Sequence, residues 1–135
     1  MNPRYTPIIA LIIVWGLWAF LPKLAVGHIN PKSALFYHAI GGFLVAMVVL
    51  WMQGFKPEFH PVGSGIALLT GVLGIAGSLL YYIIATREKA SVLASLNFIY
   101  PALAIFLAVV ILKEVITLKQ GAGMVLAMLS LVLLI

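Results

Sequence analysis

His38 is the one ionisable side chain that falls well inside a long apolar run, Pro31–Gln53, so any proton chemistry in this chain starts there. A titratable group at membrane depth can carry a proton or contact a ligand, and a neutral, hydrogen-bonded imidazole that only packs is the competing reading. A second group lies in the run Ala90–Leu112, where Ser91, Ser95, Asn97 and Tyr100 precede Pro101. A proline in mid-helix removes one amide donor and displaces the carbonyl four residues back, which is that of Asn97. Freed backbone beside a polar side chain suits a ligand-binding site in a membrane, while a plain kink with Asn97 bonded to a neighbouring helix explains the same residues. Trp15 and Trp18 form a third group, spaced i, i+3 and set deep in the first run, unlike Trp51, which stands at a span end where indoles are common. They read as a cavity wall with N–H donors or as core packing. Tyr81 and Tyr82 add hydroxyls, and the candidates for a small-molecule cavity are Trp15, Trp18, His38, Tyr81, Asn97, Tyr100 and Pro101.

Catalysis has little footing. The histidines are scattered at 28, 38 and 60, and Glu58, Glu88 and Glu114 all fall in or beside turns. No serine–histidine–acid set, carboxylate pair or metal-ligand spacing emerges. The reading is therefore not an enzyme, with no catalytic residue, metal or cofactor. The chain has no cysteine, which removes thiolate and disulfide chemistry.

The elements that must position these residues are five apolar runs, read as helices over 5–26, 31–53, 63–85, 90–112 and 118–135. About 20 residues at roughly 1.5 Å each cross a hydrocarbon core of about 30 Å, so four runs are long enough and the fifth is marginal. Thr6-Pro7 and Asn30-Pro31 each place a capping side chain before a proline at a helix start. Thr117-x-x-Gln120 has the form of a capping box for the fifth helix. Short turns force successive helices to run antiparallel, the widest connection being Gly54–Val62. Gly71, Gly74 and Gly77 on the third helix, with Gly123 on the fifth, let backbones approach closely, as packing or dimer positions. The predicted fold is an all-α integral membrane bundle of five transmembrane helices in a single domain.

Composition agrees: 64% of residues are hydrophobic and 8% charged, too few polar side chains to cover a soluble globule. The formal net charge of +5 forms no basic stripe, which argues against nucleic acid as a partner. Alternating the turns places Arg4, Lys56, Lys113 and Lys119 on one side and Lys23, Lys32, Arg87 and Lys89 on the other. Four face four, so the usual positive-inside bias is absent; insertion in both orientations, or orientation set by the first helix, are the two readings. The first run is full length and is kept as a span rather than a cleaved signal.

Together these residues resemble a known family. Trp15-Gly16-x6-Lys23 looks like the opening of the EamA domain of the drug/metabolite transporter superfamily, in its single-domain, five-helix bacterial and archaeal form. Ala90-Ser91-x-x-Ala94-Ser95-x5-Pro101, Leu112-Lys113-Glu114 and Gln120-Gly121-x-Gly123 resemble its closing half. The resemblance implies half of a ten-helix inverted-repeat transporter. The implied protein is multi-pass in the cell (plasma or inner) membrane and works by alternating access on a small metabolite or amphipathic organic compound. An odd helix number then requires an antiparallel homodimer, which the equal charge count permits. The resemblance also implies that Trp15, Gly16 and Lys23 share one face of helix one, that Pro101 breaks a cavity-lining helix, and that Glu114 anchors the following turn. His38 stands in a stretch where many members carry arginine. A flippase for lipid-linked sugars and a non-transporting membrane partner are the alternatives.

Overall fold

The computed structural model describes residues 5–97 and 100–132 and, within its last helix, the side chains as far as Leu126 and that of Leu129. Six helices follow in order: α1 (Thr6–Ala25), α2 (Pro31–Met52), α3 (Pro61–Ala85), α4 (Ala90–Leu96), α5 (Tyr100–Ile111) and α6 (Leu118–Val132). No strand occurs among the described residues. α4 and α5 together make up the fourth predicted span, with residues 98 and 99 outside the described residues, so the five predicted spans stand. α1, α2, α3 and the run Ala90–Ile111 are each long and apolar enough to cross a bilayer. α6 covers 15 described residues, roughly 22 Å at about 1.5 Å per residue, and residues 133–135 of the predicted fifth helix lie outside the described residues.

Helix ends follow from local chemistry. Asn30 is held extended before Pro31, as pre-proline residues are, and that leaves its side chain aimed at the first turn. Its Oδ1 accepts from the Ser33 amide at 3.0 Å and its Nδ2 donates to Ser33 Oγ at 3.1 Å. His60-Pro61 does the same for α3. The Gly63 amide donates to His60 Nδ1 at 3.2 Å, and the His60 amide donates to Ser64 Oγ at 3.2 Å. This starts α3 two residues before the Gly63 expected from sequence, because an imidazole nitrogen can stand in for the usual Asn, Asp or Ser oxygen. The Thr117–Gln120 box forms reciprocally: the Thr117 amide donates to Gln120 Oε1 at 2.9 Å, and the Gln120 amide to Thr117 Oγ1 at 3.3 Å. α2 stops where Gly54 turns left-handed at φ +64°. There the Phe55 amide donates to Leu50 O at 3.0 Å and the Gly54 amide to Trp51 O at 2.9 Å, the paired bonds of a glycine-terminated helix.

The chain forms two compact units, a central one, Pro22–Arg87, and a terminal one, Met1–Leu21 with Glu88–Ile135. In the central unit α2 packs on α3. Its buried residues, Pro22, Ala34, Ser78, Tyr82 and Ala85, lie in the last turn of α1, the first turn of α2 and the last turns of α3. That is the end where the chain enters and leaves the unit; the opposite connection, residues 53–60, is exposed. In the terminal unit the buried positions are Leu93 and Ser95, both on α4. Most other side chains of the spans are exposed and apolar, as surfaces that meet lipid must be.

Candidate functional site

The two units divide the seven cavity candidates. His38 and Tyr81 belong to the central unit, while Trp15, Trp18, Asn97, Tyr100 and Pro101 belong to the terminal one.

In the central unit the packing of α2 on α3 brings His38 to Tyr82. The Tyr82 hydroxyl lies 3.4 Å from His38 Nδ1, at the long end of the hydrogen-bond range. The rings meet edge to face, with centroids 6.0 Å apart and planes at 87°. Tyr82 is buried, while His38 and Tyr81, the residue before Tyr82, are half-buried. Tyr82 was outside the candidate set, since two adjacent tyrosines point about 100° apart around a helix and sequence alone does not say which one faces α2.

One turn beyond Tyr82, Lys23 Nζ donates to the carbonyl of Ala85 at 2.8 Å. Lys23 stands in the last turn of α1 and bonds the last residue of α3, so its ammonium sits at the negative ends of both helix dipoles. The two preceding carbonyls of α3 are also satisfied: Ile83 O by Thr86 Oγ1 at 2.7 Å and Ile84 O by the Arg87 amide at 2.9 Å. Lys23 had been counted among the interfacial cations; its tip instead bonds the end of another helix. Pro22 beside it lies inside α1 and has no amide to give the helix ladder. Sequence reading passed over it, although an internal proline is a visible signal.

In the terminal unit the fourth span is described as α4 and α5. The Asn97 amide donates to Ala94 O at 3.1 Å in a tight turn after α4, and Pro101 is the second described residue of α5. Residues 98 and 99 between them lie outside the described residues. Ser95 is buried, and its hydroxyl donates to its own helix at Ser91 O, 2.8 Å away. Tyr100 and Trp15 are exposed, and Trp18 borders on exposed. At the next turn Lys113 takes φ 54° and the Glu114 amide returns to Ala108 O at 3.3 Å. Among the described residues Glu114 bonds through its backbone amide, and its carboxylate makes no hydrogen bond. A shallow cavity of about 100 Å³ lies beside it, walled by Ile105, Ala108, Gln120 and Met124.

A Cβ added at Gly71, Gly74, Gly77 or Gly123 would meet no atom within 4 Å. These positions are open in the isolated chain. No cluster of three His, Asp or Glu side chains among the described residues could hold a metal ion.

Comparison with known proteins finds a match to the EamA-like transporter family over residues 5–135. An uncharacterized protein of Methanocaldococcus jannaschii is 40% identical over 122 residues, covering 90% of this chain and 88% of that protein. No solved structure matches.

Proposed function

Because the chain belongs to the EamA-like transporter family, we propose that it is a membrane transporter subunit moving a small metabolite or amphipathic organic compound by alternating access. The observation that carries this reading is the match to the EamA-like transporter family over residues 5–135. Within the fourth span Asn97 turns its amide back to Ala94 O, and polar groups at membrane depth need protein, water or ligand partners. Asn97, Tyr100 and Pro101 lie near this point. Trp15, Trp18, His38 and Tyr81 are the remaining residues proposed for the cavity, with aromatic faces and a few hydrogen-bonding groups.

On this reading the working unit is an antiparallel homodimer in the cell membrane, with the 135 residues acting as one five-span half. An odd number of spans inverts a second half, and the four-against-four distribution of Lys and Arg allows both orientations. The open glycine positions on α3 and α6 are where the second copy docks, since small residues are what helices use to associate in lipid.

Two measurements test this. Purified protein in liposomes should take up members of a metabolite panel; no uptake of any of them would remove the transporter reading. Because the chain lacks cysteine, an Asn2→Cys variant labelled in intact cells with an impermeant thiol reagent reports orientation directly. About half of the molecules should label from outside. All or none labelling would mean a single orientation and rule out the antiparallel dimer.

A further inference from the structure

We infer that the end of α2 and the connection after it, residues 51–60, form a lipid-docking surface: Trp51, Phe55 and Phe59 enter the interfacial layer of the bilayer, and Lys56 pairs with anionic headgroup phosphates. The inference needs the membrane spans and not the transport reading.

α2 has 22 residues, about 33 Å at roughly 1.5 Å each, enough to cross a hydrocarbon core of about 30 Å, so the connection that follows it emerges at a membrane face. Its backbone is strained. Gly54 and Phe55 both take left-handed φ, at 64° and 58°, and the Lys56 amide donates to Gln53 O at 3.3 Å. Two left-handed central residues under one such bond make a turn in which Asn and Gly are at home and a phenylalanine is sterically costly. Packing within the chain offers little in return, since Phe55 is 59% exposed and Phe59 78%. Trp51 and Met52, in the last turn of α2, are exposed as well. Aromatic rings with an apolar body concentrate in the interfacial layer, Trp above all because its N–H stays wet there. The connection 26–30, at the other end of the same unit, holds no Phe, Trp or Tyr. Charge fits the same partner. Lys56 stands among the aromatics, while Glu58 lines a shallow cavity at the start of α3 with His60, Gly63 and Ser64, where the positive end of the helix dipole favours an acid. A cation at headgroup level attracts anionic lipid.

The test uses the full chain in nanodiscs, with Trp15→Phe and Trp18→Phe leaving Trp51 as the fluorophore. Phosphatidylcholine brominated near the headgroup end of its chains should quench Trp51 at least twofold more than the same lipid brominated near the chain ends. Strongest quenching by the deep bromine overturns the inference. So does quenching by aqueous acrylamide without quenching by any brominated lipid, which would put the surface in water. Shielding from both quenchers would mean that protein, such as a second copy, covers it, and overturns the inference too. Phe55→Asn, which suits the turn better, should raise acrylamide access to Trp51 at least twofold; unchanged access removes Phe55 from the surface. Shallow-brominated phosphatidylglycerol, as a minor component, should be enriched near Trp51 roughly fivefold over the phosphatidylcholine, what one cation near the surface supports, and Lys56→Gln should erase the preference. Equal quenching by the two lipids in the protein with Lys56 intact overturns its pairing with phosphate. Hydroxyl-radical footprinting of the wild-type protein needs no variant. Phe55 and Phe59 should oxidise at least fivefold more slowly in nanodiscs than in the free peptide, and equal rates overturn the inference.

Discussion

Replacing Lys23 with methionine removes the ammonium and keeps most of the apolar stem, so the loss includes the bond to Ala85 O and the charge at two helix ends. The bond to Ala85 O, at 2.8 Å, is short and charge-assisted, a type worth about 1.5–3 kcal/mol in soluble proteins. Interhelical bonds in membranes average nearer 0.6 kcal/mol, with a maximum of about 1.7 kcal/mol, because the unfolded chain in lipid finds other partners. The same ammonium lies at the negative ends of α1 and α3, which adds about 0.3–1 kcal/mol for a partly exposed charge. The membrane value governs the bond and the dipole term adds to it, so Lys23→Met should lose about 1–2 kcal/mol. The assay is reversible unfolding by SDS in mixed micelles, followed by the emission of Trp15, Trp18 and Trp51. Lys23→Arg, which keeps the charge and donors, should retain most of the stability. A Lys23→Met midpoint within about 0.3 kcal/mol of wild type would refute the reasoning and return Lys23 to the role of an ordinary headgroup cation.

Two further predictions use the same unfolding assay. His60→Ala should destabilise by about 1 kcal/mol through loss of the α3 cap, and His60→Asn should recover most of it, since an amide oxygen can accept from the Gly63 amide; equal stability of all three proteins would show that the cap contributes nothing. Gly54→Ala should cost about 1–2 kcal/mol from forcing a side chain into the left-handed region at φ +64°. As an added Cβ there meets nothing within 4 Å, the cost is conformational, and Gly54→Asn should cost less.

The one-dimensional features of this protein are written in its sequence for a plain reason. Span length, the Asn30-Pro31 cap and the Thr117–Gln120 box each depend on residues within one or two turns of one another. Even the features missed there, the His60-Pro61 cap and the internal Pro22, are local signals that a wider list of cap and break residues would have caught. Family membership is likewise legible, because order and spacing of motifs survive without coordinates. What the sequence could not decide is which side chains meet across helices. That Tyr82 rather than Tyr81 reaches His38 depends on the rotation of α3 against α2, and a rotation of about 100°, one residue's step, would exchange them. That Lys23 bonds Ala85, 62 positions away, depends on two helix ends meeting at one face. In lipid every apolar face is equally content against a tail or another helix, so hydropathy marks the spans but carries no information on their rotation. Only the packed structure supplies that.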